Sequence, residues 1–301
     1  MSARDQLLVV IDPVARRTDG ESVRIAKDVL SAGATVRFCL PDGPEDFAKA
    51  LARRGARRLV VVGDDRALLR AVGTLHRERD LAGSALSVVP VGAAQTLART
   101  LGVPSGAVAA ARAVLEGVER RLDLLVDDSD GVVLGDLRIP PVGAGAAESG
   151  AARSGAAGSR AAGPEAADGA ANGTTAVEGH AWLRTCQSFV RTLAARPARV
   201  AAPPGPSPAR LRVEADGVTL VDLDQPVEGV LVTAGHGGGL AQVEVRPSSV
   251  GAEAAPLRVR ARTVTVSGAD FRYRADAVVA GPVRTRTWTV RPRAWGLTLP
   301  R

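Results

Sequence analysis

Apolar and polar positions along this chain follow two rhythms, and the change between them falls near residue 127. Leu7–Ile11 is an unbroken apolar run that stops at Asp12-Pro13, which predicts a buried strand. A helix is expected over Asp19–Leu30, with Val23, Ala26, Val29 and Leu30 on one face and Ile25 off it. Thr35–Leu40 reads as a second strand, and a Pro41–Pro44 turn leads into a helix over Glu45–Arg54 with Phe47, Ala48 and Leu51 inward. The strand Leu59–Val62 ends at Gly63-Asp64-Asp65, and Leu68, Leu69 and Val72 set the inner face of a helix reaching about Arg79. Leu86–Val89 is a further strand, closed by Pro90-Val91-Gly92, before helices at Ala94–Leu101 and Ser105–Glu116 and a strand at Arg121–Val126. Alternating strands and helices predict a doubly wound parallel α/β lobe over residues 1–128.

Beyond Asp127 the period shortens to two. Gly131–Leu134 and Leu137–Ile139 are short strands, and residues 143–175 form a Gly/Ala/Ser tract almost free of large apolar side chains. Such a tract buries too little surface to order itself and is expected to be a disordered loop. One helix, about Ala181–Ala195, follows it. From Arg210 onward come short alternating segments, among them Leu211–Glu214, Val218–Val221, Val230–Thr233, Ala241–Val245, Leu257–Ala261, Thr263–Ser267 and Thr285–Val290. Their spacing predicts an antiparallel β-sandwich within a β-rich lobe over residues 129–301.

With 301 residues and 46% hydrophobic content, the chain can bury two modest cores. No apolar run reaches 18 residues, and Met1–Gln6 leads directly into the first strand, so neither a transmembrane segment nor a signal peptide is expected and the location is read as cytoplasmic. Cys39 and Cys186 stand far apart, and His76, His180 and His236 show no ligand spacing, which argues against a disulfide framework or a zinc site. The net charge of +7 is carried almost wholly by arginine. Aromatics make up only 3% of the chain, too few for the stacking platforms of a nucleic-acid binder. What survives is a pull toward anionic lipid surfaces, whose basic residues the sequence does not place.

The chemistry concentrates at Gly63-Asp64-Asp65-Arg66, because ligands of open α/β sheets bind at the carboxyl ends of strands. Gly63 permits a tight turn. Asp64 or Asp65 can cap the next helix, or hold a metal ion against a nucleotide phosphate. The acidic turn Asp127, Asp128 and Asp130, the loop Gly235-His236-Gly237-Gly238-Gly239 and the arginine pairs at 53–54 and 57–58 all have plainer readings as turn residues and solvated faces.

In order and spacing, these stretches resemble the diacylglycerol kinase catalytic-domain family, which includes bacterial lipid kinases and sphingosine kinases and is related to NAD kinase. The family's Asn-Pro after the first strand is Asp12-Pro13 here, and its Gly-Gly-Asp-Gly-Thr signature is Val62-Gly63-Asp64-Asp65-Arg66. Its Pro-x-Gly-Thr-Gly-Asn-Asp motif corresponds to Pro90-Val91-Gly92-Ala93-Ala94-Gln95-Thr96, with Leu101-Gly102-Val103-Pro104 beyond; Arg121-Leu122-Asp123-Leu124 fits the strand entering the second lobe. The resemblance implies ATP-dependent phosphoryl transfer to a lipid hydroxyl, with ATP and Mg²⁺ as cofactors. It places nucleotide contacts at Asp12, Gly63, Asp64, Asp65, Arg66, Gly92, Ala93 and Gln95, a metal ligand at Asp64, and catalytic roles at Asp64 and Asp276.

Polar chemistry is missing from this skeleton. Asp65 in place of glycine is expected to bring a carboxylate toward polyphosphate, Arg66 replaces a threonine, and Ala93 and Ala94 remove a hydroxyl and a glycine. Gly235–Gly239 lacks the family's acid, and Ala275-Asp276-Ala277 retains one residue of Asp-Gly-Glu. Two functions are therefore carried forward: a lipid kinase with degenerate motifs, and an inactive pseudokinase that binds a nucleotide, lipid or protein as a regulator. Both allow a peripheral position at the inner membrane face, and a homodimer stays open as an assembly. A purely structural module would leave Gly63-Asp64 and Pro90-x-Gly92 without a reason.

Overall fold

Strand β1 (Gln6–Ile11) is buried at every position from Leu7, as a strand covered on both faces requires. Asp12 ends it and caps a short helix, α1 (Pro13–Thr18), with Pro13 at the first helical position, where its missing N–H is not needed. Helix α2 (Gly20–Gly33), capped by Asp19, leads to β2 (Thr35–Cys39), α3 (Pro44–Ala52) and β3 (Arg58–Gly63). After these come α4 (Asp65–Arg77), β4 (Ala85–Pro90), α5 (Thr96–Thr100) and α6 (Ala107–Glu116). The strands run parallel in the order β2-β1-β3-β4. This computed structural model describes residues 6–83, 85–141, 208–235, 238–248 and 255–301. The tract at 143–175, the helix expected at Ala181–Ala195, and His180, Cys186 and His236 lie outside the described residues.

The remaining strands are β5 (Val118–Asp127), β6 (Val132–Val133), β7 (Asp136–Ile139), β8 (Ala209–Ala215) and β9 (Val218–Val221), then β10 (Pro226–Thr233), β11 (Ala241–Pro247), β12 (Leu257–Ala261), β13 (Thr263–Ala275) and β14 (Val278–Leu299). Strands β10 and β13 each pair with both β7 and β8, so these four close on one another. The alternation alone suggested two separate sheets. Bulges explain the difference: register shifts between Val227 and Gly229 and between Ser267 and Tyr273 bend β10 and β13, so that their two ends meet different partners. Val213, Val232, Val243, Val264, Val266 and Trp288 fill the core they enclose.

Strand β14 belongs to both halves of the fold. Its first part pairs with β13, its second part runs antiparallel to β5, and Gly296 and Leu297 lie parallel to Ala85 and Leu86 of β4. Trp295, Leu297 and Leu299 consequently share a core with Leu68, Leu86 and Leu124. A buried hydrogen bond of 2.9 Å, Ser87 Oγ donating to Thr298 Oγ1, fixes the seam. The division expected at residue 128 is thus crossed by the chain's last strand.

Candidate functional site

The carboxyl ends of β1, β3 and β4 meet the first turns of α1, α4 and α5. Gly63 is obligatory there, since a Cβ would lie 2.6 Å from Ala67 Cβ and 2.9 Å from Asp12 Cβ. Asp64 caps α4: its Oδ1 accepts from Arg66 N at 3.0 Å and Ala67 N at 3.1 Å. The next carboxylate does something different. Asp65 is 4% exposed and points inward, accepting from Leu97 N at 2.9 Å and Ala98 N at 3.0 Å in the first turn of α5. Its own N–H donates to Ala94 O at 2.8 Å. The expectation that Asp65 carries its charge toward a bound polyphosphate is corrected accordingly: this carboxylate ties the second motif to the third.

Asp12 is buried and fully engaged. One oxygen accepts from Val14 N, and the other pairs with Arg70 Nη1 at 2.7 Å. Arg70 also lies over the Phe47 ring, 5.4 Å from its centroid. Gly92 adopts φ +112° close to Asp64 Cβ, a conformation suited to glycine, and Gln95 Nε2 donates back to Gly92 O at 2.8 Å. Ala93 and Arg66 are exposed at the rim.

Asp276 arrives from the far side of the fold. Held at φ +49°, it accepts from Leu134 N, Gly135 N and Asp136 N at 2.8–3.0 Å. Gly135 separates it from α5, for a Cβ there would lie 2.8 Å from Leu97 Cδ1 and 2.9 Å from Asp276 Oδ1. Gly135 thus lies between Asp276 and the side chain of Leu97, whose N–H bonds Asp65. Burial pushes the Asp276 carboxyl up to about 6, against the pull of the three N–H donors and with help from the nearby Asp136 charge.

Sequence reasoning passed over Asp123. It is 1% exposed, and its two oxygens accept from Gly239 N at 2.7 Å and Arg293 N at 2.8 Å. A carboxylate therefore does stand against the glycine loop, supplied by β5. The signal was a single acid inside the run Leu122–Val126. The acidic turn keeps its plain reading, since Asp127 Oδ1 accepts from Ser129 N and Gly131 N. His76 contacts Asp130 Oδ1 at 2.9 Å.

Residues 6–126 match the diacylglycerol kinase catalytic domain. Over this segment the resemblance to the diacylglycerol kinase catalytic-domain family is shown. A comparison with curated proteins found no match. Among solved structures, a diacylglycerol kinase from Bacillus anthracis strain Sterne superposes with a TM-score of 0.63 at 12% identity, covering 98% of this chain and 97% of that one. Two further structures from that organism, 12% and 13% identical, give 0.64 and 0.65 with the same coverage. At such identity the likeness speaks to the fold.

The family implies ATP and Mg²⁺, and the contacts above test the fit. Both oxygens of Asp65 and both of Asp12 are engaged, and Asp64 has one oxygen left. Among the described residues no group of three or more His, Cys, Asp or Glu is placed to hold a metal ion. Four N–H groups at the starts of α4 and α5, of Arg66, Ala67, Leu97 and Ala98, already bond to the carboxylates of Asp64 and Asp65. What the mouth leaves for an ion is the second oxygen of Asp64, and the Leu97 and Ala98 N–H groups are already taken by Asp65. Among the described residues no helix is long and apolar enough to cross a membrane.

Proposed function

We propose that this protein is a degenerate lipid kinase of the diacylglycerol kinase family. The family's reaction, ATP-dependent phosphoryl transfer to a lipid hydroxyl, is reduced here by several powers of ten, and binding is the retained task. One observation carries the reading: the Asp65 carboxylate occupies the Leu97 and Ala98 N–H groups, in the motif that should receive the nucleotide. Phosphoryl transfer is mostly positioning and charge neutralisation, and each lost contact costs about 10²–10³-fold.

A second reading, an active kinase, is favoured by Asp276. A buried carboxyl with a pKa near 6 beside α5 is suited to general-base work at neutral pH. The two readings separate in one experiment. ATP with Mg²⁺ at about one hundred times its dissociation constant would add about 2.7 kcal/mol, or roughly 5–11 °C in Tm. We expect a shift below about 1 °C, with no transfer of labelled phosphate to mixed acylglycerols. Transfer at about 1 s⁻¹ or faster, abolished by Asp276→Asn, would establish the active kinase instead.

A further inference from the structure

The basic residues left without a place by the sequence collect on the outer face of one sheet. Side chains directly opposite one another across antiparallel strands share a face. The register gives a row running Arg258 (β12), Glu244 (β11), Leu231 (β10), Arg138 (β7), Arg274 (β13) and Val279 (β14). Arg260 and Arg246, two residues from members of this row, lie on the same face. The opposite face is core, with Leu137, Val230, Val232, Val243 and Val245 buried.

Charge on this face is unbalanced. Five arginines meet Glu244, Asp136 and, at the bulge, Glu228. Glu244 pairs with Arg246 and Arg258, and Asp136 pairs with Arg138. Arg138 and Arg274 stand directly opposite each other, and among the described residues the Arg274 Nε is buried without a hydrogen-bond partner. Like charges in register are destabilising. Arginine on an edge strand can be explained as protection against unwanted pairing, which would cover Arg258 and Arg260 on β12. It does not cover Arg138 and Arg274, which sit on the interior strands β7 and β13. Beside them Val279 is 56% exposed and its neighbour Val278 51% exposed, at the hairpin tip next to Asp276.

We propose that this face docks on an anionic phospholipid bilayer. Its arginines would meet lipid headgroup phosphates while Val278 and Val279 enter the interface, which brings the Asp276 turn to the membrane. The proposal does not depend on whether the mouth transfers phosphate. Each basic residue near an anionic leaflet contributes about 1 kcal/mol, roughly fivefold in affinity.

The test is co-sedimentation of the full chain with phosphatidylcholine vesicles, with and without about 30% phosphatidylglycerol. We expect binding only to the anionic vesicles, lost at about 1 M salt. The double variant Arg258→Gln with Arg260→Gln should bind roughly 25-fold more weakly. Arg112→Gln with Arg120→Gln, an equal loss of charge at exposed positions on α6 and β5, should change binding less than about twofold. Melting curves would confirm that both variants fold. Failure to bind anionic vesicles, or equal losses in the two variants, would overturn the proposal. So would a dimer of the unaltered chain that the first variant dissociates, because a second copy would then be what covers the face.

Discussion

Replacing Asp65 by the glycine that the family signature carries would remove the acceptors of two N–H groups in α5. On the sequence alone this change should open the mouth to ATP, by removing bulk and a charge. The contacts reverse the expectation. We predict that Asp65→Gly costs roughly 2–4 kcal/mol in denaturant unfolding and yields no tight ATP binding by calorimetry. Asp64 was legible, because a carboxylate just before a helix caps it by a local rule. Asp65 was not, because its partners lie more than thirty residues away in a helix of five residues. Asp276 carries the second prediction at this scale. Its folded pKa, about 6, lies above the ordinary 3.8, so the folded state keeps a proton that the unfolded chain has released. That stability is fully present below about pH 4 and is lost as pH rises through 6, about 3 kcal/mol in all. Thermal unfolding between pH 4 and 7 should show this slope in the unaltered chain and a flatter one in Asp276→Asn.

Among the elements, the parallel strands were the most legible. Leu7–Ile11 and Leu59–Val62 are apolar at every position, and a strand covered on both faces has no other pattern. Helix α1 escaped notice because six residues are too few to show a period, although Asp12-Pro13 is a good helix start. The closing of β10 and β13 on β7 and β8 was hidden for a different reason: bulges leave the alternation nearly intact while changing a strand's direction. The partners of the final strand segment were not legible in its own residues, because they lie in β4 and β5. Its role can be measured with Leu297→Ala, near the end of the chain. Leu297 is fully buried among residues of the first lobe, so the substitution should cost about 2–5 kcal/mol, against a few tenths for an exposed terminal residue.

At the scale of the whole molecule, the same strand decides what can fold alone. A fragment ending at residue 128, where the pattern changes, would lack Trp295, Leu297 and Leu299 and leave β5 without its long antiparallel partner. We predict that this fragment is unfolded or aggregated, and that adding residues 286–301 as a separate peptide restores part of its near-ultraviolet dichroism. A consequence follows for synthesis. Asp127 of β5 waits for Trp288, so more than 160 residues must be added before the pairing can begin. At ordinary elongation rates of about 5–20 residues per second, that is roughly 10–30 s during which the nascent chain holds an open sheet edge. On the ribosome the first half of this protein is finished last, and it is there that a chaperone would have the most to shield.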